Sequence, residues 1–239
     1  MIDLICTLGR GSLWNDLEIK YSLRSIEKHL SNYGNIWIVG YRPPFLQNVR
    51  HIEFKDEHPC KETNIYRKIL RACQEKEISD DFLFFNDDHF ILQDFIAGDF
   101  PYFWKSNLRD SSKMMKPGNR YKKAVDNAYR TLSSLGLETK SFDIHMPIIY
   151  NKKKFIDVMT KYDWDQKVSY VVKSMYANSL KIEGVREPDC KINSQITETE
   201  IKEIIKDRKV FSMGNGAIGF KMLNVLNELY PNPSKYEMI

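Results

Sequence analysis

The sequence is poor in several features, and each shortage narrows what the protein can be. It has four cysteines, Cys6, Cys60, Cys73 and Cys190, and no two of them share CxxC spacing. That scatter lacks the pattern of a zinc site or a redox motif, so the four read as reduced thiols of a cytoplasmic protein. No apolar run approaches the roughly 20 residues of a membrane span. The start, Met1-Ile2-Asp3-Leu4-Ile5-Cys6, has no basic lead and carries an acid. It reads as a first strand and not as a secretion signal. No internal repeat or long linker divides the chain. A formal net charge of only +4 excludes a polycationic tail but leaves room for a local basic patch.

What is present points to one folded domain over residues 1–239. Hydrophobic residues make up 42% and aromatics 13%, well above disordered composition. Ile2 to Leu8 reads as a buried strand, followed by the loop Gly9-Arg10-Gly11-Ser12. Asn15 or Asp16 can cap a helix from Leu17, where Ile19, Leu23, Ile26 and Leu30 fall on one face. Ile36 to Val39 and Val49 to Phe54 read as further strands. A helix over 62–75 then turns Ile65, Ile69, Ala72 and Cys73 inward. This strand–helix–strand alternation predicts a mostly parallel central sheet flanked by helices. The remainder is more helical, with helices expected over 119–135, 152–162 and 165–180, near Ile201, and after Gly216. A late strand covers 209–213.

The strongest chemical signal is Asp81-Phe82-Leu83-Phe84-Phe85-Asn86-Asp87-Asp88-His89-Phe90-Ile91-Leu92. Four consecutive apolar residues suit a strand buried on both faces. Two adjacent carboxylates at its end need a cation, because an ionised carboxylate is costly to desolvate unpaired. Mg²⁺ or Mn²⁺ shared with the phosphates of a donor answers that need. Asp88 is the first expected ligand and Asp87 the second, with Asn86 beside the donor. Asp143 and His145 form a second stretch and would share one face if extended. His145 is a candidate third metal ligand or a general base, and the pair would face the acceptor. Lys61, Asn64 and Lys68 lie on one side of a helix start, a phosphate-favouring place. Thr7 and Arg10 lie at the end of the first strand, where open α/β sheets bind ligands. From Lys105 to Lys123 there are seven basic residues and one acid. That segment reads as a mobile basic loop able to meet a phosphate-bearing donor or a nucleic acid.

Five stretches carry a family resemblance. Tyr21-Ser22-Leu23-Arg24-Ser25-Ile26-Glu27-Lys28, Ile36-Trp37-Ile38-Val39 and Phe84-Phe85-Asn86-Asp87-Asp88 resemble the second conserved region of the Stealth sugar-phosphate transferases. Asp143-Ile144-His145-Met146-Pro147 resembles their third region, and the stretch from Leu226 to Glu237 resembles their C-terminal end. The chain departs from the family where an aspartate-rich loop follows the first strand, since Thr7-Leu8-Gly9-Arg10-Gly11-Ser12 holds no aspartate. The layout is also similar to small phage-type glycosyltransferases of the GT-A fold. These resemblances imply a GT-A-like (Rossmann-like) domain, with a nucleotide-sugar half at 1–100 and an acceptor half at 101–239. They imply a Mn²⁺- or Mg²⁺-dependent glycosyltransferase using a UDP-sugar, acting on a glycan or on a modified DNA base. The alternatives are a Stealth-like sugar-1-phosphate transferase and a non-enzymatic nucleic-acid-binding module built on residues 105–123.

Overall fold

The computed structural model describes residues 1–238. In chain order its elements are β1 (Ile2–Leu8), α1 (Leu17–His29), β2 (Leu30–Ser31), β3 (Tyr33–Gly40), β4 (Arg50–Ile52), α2 (Lys61–Cys73), β5 (Asp81–Phe85), β6 (His89–Ile91) and β7 (Phe95–Ile96). Then come β8 (Phe103–Trp104), α3 (Leu108–Lys113), α4 (Arg120–Ser134), β9 (Ile148–Asn151), α5 (Lys152–Met159), α6 (Val172–Ser179), β10 (Val185–Arg186), β11 (Lys191–Ile192), α7 (Glu198–Ile205), β12 (Val210–Met213) and α8 (Phe220–Leu229).

The central sheet has the order β4-β3-β1-β5-β9, with the first four strands parallel and β9 antiparallel to β5. Its strands are apolar on both faces, and the faces split by parity as pleating requires. Ile5, Trp37, Val39, Phe82 and Phe84 enter one core with α2, α4, α5 and α6. Leu4, Cys6, Leu8, Ile36, Ile38, Leu83 and Phe85 enter the other with α1. A third core joins α7, α8 and the small sheet β11-β12-β6. The expected mostly parallel sheet flanked by helices, with a more helical later part, is what the chain forms.

Several expected elements are shorter. The strand expected over 49–54 covers only Arg50–Ile52. The helix expected over 165–180 covers only Val172–Ser179, because residues 163–166 form a local turn in which the Asp165 N–H donates to Asp163 Oδ1 at 3.1 Å. The helix expected to Tyr162 stops at Met159, just before Thr160 Oγ1 bonds back to the Ile156 carbonyl at 2.7 Å. At the start of α1, Asp16 occupies the cap position but adopts a left-handed backbone and makes no side-chain cap. Ser12 orders that turn instead, its Oγ accepting from the Trp14 and Asp16 N–H groups at 3.0 and 2.9 Å.

Helix α1 shows why its motif has two serines. Ser22 Oγ donates to the His89 carbonyl at 2.8 Å, and Ser25 Oγ accepts from the Ile91 N–H at 3.0 Å. The two hydroxyls thus satisfy backbone groups of β6, the strand that follows the acid pair. Arg24 reaches the other way and holds Glu237 through two hydrogen bonds of 2.7 Å, with both side chains buried. The C-terminal block and the α1 block are therefore packed together. Among the described residues, no helix is long and apolar enough to cross a membrane.

Candidate active site at the end of the central strand

β5 delivers Asn86-Asp87-Asp88 as a tight turn. The His89 N–H donates to the Asn86 carbonyl at 3.2 Å, and the Asn86 N–H donates to His89 Nδ1 at 3.3 Å. The remaining His89 hydrogen therefore sits on Nε2, which is buried without a partner. Burial holds His89 well below the usual histidine range, so it is a neutral packed histidine under the site.

The two adjacent acids have different environments. Asp88 Oδ2 accepts from Ser212 Oγ at 2.7 Å and lies 3.3 Å from Lys191 Nζ. Burial pushes this carboxyl up, but Lys191, the His89 ring, Ser212 and His145 together outweigh it and hold it below the usual carboxylate range. Asp87 has no such partners. Burial and the charge of Asp88 push its carboxyl up, and Lys61 only partly opposes them. Asp87 thus holds its proton more tightly than an ordinary aspartate.

The second stretch differs from expectation. Residues 142–146 form a bend, not a strand, with the Met146 N–H donating to the Ile144 carbonyl at 2.8 Å. Asp143 and His145 consequently do not share a face. Asp143 Oδ2 accepts from the Ser174 N–H at 3.1 Å and from the Ser174 hydroxyl, so it caps the buried helix α6. This makes Asp143 a structural carboxylate and corrects the acceptor-facing role expected of it. His145 lies near enough to Asp88 for each to feel the other's charge, and it lowers the Asp88 carboxyl. Its Nδ1 lies 2.9 and 3.0 Å from the two oxygens of Asp189, and its N–H donates to Asp189 at 3.0 Å. A carboxylate only accepts, so Nδ1 carries the hydrogen and Nε2 keeps an open lone pair. Lys105 Nζ holds Asp189 from behind at 2.7 Å. Burial raises the Asp189 carboxyl, but His145 and Lys105 overcome this and keep it ionised. Lys173 donates to the carbonyls on either side of His145, Ile144 at 2.9 Å and Met146 at 2.7 Å. Burial draws its ammonium down to about 8.

Sequence reasoning missed Asp189, Lys191, Ser212, Lys105 and Lys173 as parts of this cluster. Of the five only Lys173 stands out as a charge in a mostly apolar run, after Tyr170-Val171-Val172.

On the donor side, α2 does not present its three polar residues alike. Lys61 is exposed and electrostatically coupled to Asp87. Asn64 is buried in a reciprocal pair with the His58 backbone, at 3.1 and 2.7 Å. Lys68 is buried, donating to the Leu8 carbonyl at 2.7 Å and pairing with Asp56 at 2.7 Å. Asn64 orders the loop before α2 and Lys68 ties that loop to the end of β1, so that among the described residues Lys61 is the one of these two lysines without an ion-pair partner. A Cβ on Gly9 would lie 2.9 Å from Asp56 Oδ2, so a side chain there would have to push the Asp56 carboxylate aside. Thr7 is half-buried near the end of β1, and exposed Arg10 lies over the Tyr41 ring at 4.8 Å.

The basic segment 105–123 lies at the surface as expected, with Arg109, Lys113, Lys116, Arg120 and Lys123 exposed, but part of it is helical and held by contacts rather than a free loop. It contains α3, with Ser111 and Ser112 buried. Lys105 serves Asp189, Lys122 pairs with Asp126 at 3.4 Å, and Arg120 donates to the Pro59 carbonyl. A cavity of about 500 Å³ opens beside β4, lined by Trp37, Arg50, Arg71 and Glu75 among others. It shares no residue with the acid cluster.

Among the described residues, no three His, Cys, Asp or Glu side chains converge tightly enough to cage a metal ion. The donor set nevertheless fits Mg²⁺ or Mn²⁺ shared with phosphate oxygens, which needs only one or two carboxylates. Asp87 makes no side-chain hydrogen bond or ion pair to another of the described residues, and only one oxygen of Asp88 is engaged.

No family model matches the chain and no curated protein is similar to it, so the Stealth resemblance stands on its blocks alone. Solved structures do match. Galactosyltransferase LgtC, determined with donor and acceptor sugar analogs, superposes with a TM-score of 0.50 at 12% identity, covering 98% of both chains. The bifunctional glycosyltransferase WbbM in its apo form gives 0.52 at 11% identity, covering 97% of this chain and 50% of that one. At such identities the likeness is one of fold, and that fold is the GT-A type.

Proposed function

We propose that the chain is a nucleotide-sugar-dependent glycosyltransferase that moves a sugar from a UDP-sugar to a hydroxyl of a glycan acceptor. The observation that carries this reading is the Asp87–Asp88 turn at the carboxyl end of a buried parallel strand. There Asp87 is only partly offset by Lys61 and its own backbone N–H, and His145, whose Nδ1 is held by Asp189, helps hold the Asp88 carboxyl down. Asp87 and Asp88 would hold a divalent cation, which neutralises charge on the leaving diphosphate. Lys61 lies where it can meet a phosphate oxygen, and Arg10 with Tyr41 offers a cationic, aromatic surface for the base. His145 accepts the acceptor hydroxyl proton at Nε2, and the resulting imidazolium is stabilised by Asp189. Asp189 and Lys173 fix the ring so that this nitrogen faces the site.

A Stealth-like sugar-1-phosphate transferase is the second reading. It is favoured by the contact between two of the resembling blocks, Arg24 with Glu237, and by the block with His145, which lowers the Asp88 carboxyl. The two reactions break different bonds. Incubation with a panel of UDP-sugars and Mn²⁺ tells them apart, since nucleoside diphosphate is released by the first and nucleoside monophosphate by the second. Absence of either product across the panel, with acceptor glycans supplied, would refute both.

A further inference from the structure

Strand register puts a lysine where the reading above puts a metal. β11 pairs with β12 at Lys191↔Ser212, and β12 pairs with β6 at Ser212↔His89. Lys191, Ser212 and His89 therefore stand in one row across the small sheet, with Asp88 one residue before the row's end. The first two members turn onto the same oxygen, Ser212 Oγ at 2.7 Å and Lys191 Nζ at 3.3 Å from Asp88 Oδ2. Lys191 is 27% exposed, and a Cβ on Gly214 would lie 3.4 Å from its Cε, so the glycine backbone passes close along its stem. In the cation-free protein the neutralising charge on Asp88 thus belongs to the chain itself.

A divalent cation at Asp87 and Asp88 would displace this ammonium, because two positive charges a few ångströms apart at one carboxylate repel each other. A lysine is suited to such an exchange, being a compact charge on a flexible stem. The nearest new anions are the phosphate oxygens that share the cation. We infer that Lys191 is a donor-binding residue with two alternating partners: Asp88 while the site lacks a cation, and the donor diphosphate once the site is loaded. The inference rests on Asp87 and Asp88 being the cation site. It predicts opposite effects on two ligands, since Lys191 competes with the metal and assists the nucleotide.

The test is calorimetric titration of Mn²⁺ into wild type, Lys191→Met and Asp88→Asn without nucleotide, followed by UDP at saturating Mn²⁺. Lys191→Gln serves as a second variant, and thermal melting checks that each folds. Losing the competing ion pair should tighten Mn²⁺ binding about threefold or more in both lysine variants. Losing one charged contact to phosphate should weaken UDP binding by about tenfold or more. Unchanged or weaker Mn²⁺ affinity, or unchanged UDP affinity, in the lysine variants overturns the inference. Wild-type Mn²⁺ affinity in Asp88→Asn overturns instead the reading of the acid pair on which it rests.

Discussion

Asp87 is a half-buried carboxylate with a like charge one residue away, which Lys61 and its own backbone N–H only partly offset. Such a group costs folding free energy when ionised. Asp87→Asn should therefore melt higher than wild type at pH 8 in the absence of metal. A rise of at least about 2 °C is expected for a chain of this size, for roughly 1 kcal/mol regained. The same variant should lose the rise in melting temperature that Mn²⁺ with UDP gives wild type, so scanning calorimetry with and without both ligands checks the two halves together. Asp189 acts through His145. Asp189→Asn leaves the ring poorly oriented and should lower turnover about 10- to 100-fold, in the range seen for partners that orient a ligating or basic histidine. Its UDP affinity should stay near wild type, a split that a global folding defect would not produce. The acid pair was legible from sequence because Asp87 and Asp88 end an uninterrupted apolar run. Lys191 and Ser212 were not, because only long-range strand pairing brings them to Asp88, and Asp189 was not, because it meets His145 from far along the chain.

At the scale of elements, α1 organises the site without touching the chemistry. Its serines hold β6 in place behind the acids, and Arg24 ties the C-terminal segment across the same helix. Glu237→Gln would leave a buried guanidinium short of its counter-charge and should cost about 3–5 kcal/mol by urea denaturation at pH 7. The pH dependence has a definite sign. Burial pushes Glu237 up, but Arg24 and Ser234 outweigh it, so its folded pKa lies below the ordinary 4.5. Its contribution to stability is complete above 4.5 and is lost as pH falls through the lowered value. The gap between wild type and Glu237→Gln should be constant from pH 6 to 8 and should close on acidification below about pH 4. A gap that persisted at acid pH would mean the effect is packing and not charge. The helical period of α1 and the apolar runs of β1, β3 and β5 were plain in the sequence. The bend at 142–146 was not, because an alternating Asp-x-His pattern looks extended unless one knows that Asp143 is needed to cap a helix 31 residues away.

At the scale of the whole molecule, the GT-A fold sets the parallel strand ends β1, β3 and β5 beside one another. The first strand's loop, the acid turn and the His145 bend thereby come to one end of the sheet. The later third of the chain closes this end, with β12 pairing onto β6 and supplying Ser212 while β11 supplies Lys191. The residues the proposed site draws on run from Thr7 to Ser212, so the stretch Asp81–Leu92 announced the acid pair but not its partners.

The most direct test of the central claim follows hydrolysis or transfer of UDP-sugars by ³¹P NMR in wild type, Asp87→Asn and Asp88→Asn, with Mn²⁺ and after chelation. The account predicts that wild type with Mn²⁺ releases UDP from at least one UDP-sugar. It predicts that chelation or either substitution lowers the rate by at least about a hundredfold, as expected when transition-state charge loses its counter-ion. Full activity in Asp88→Asn, or activity indifferent to chelation, would contradict it.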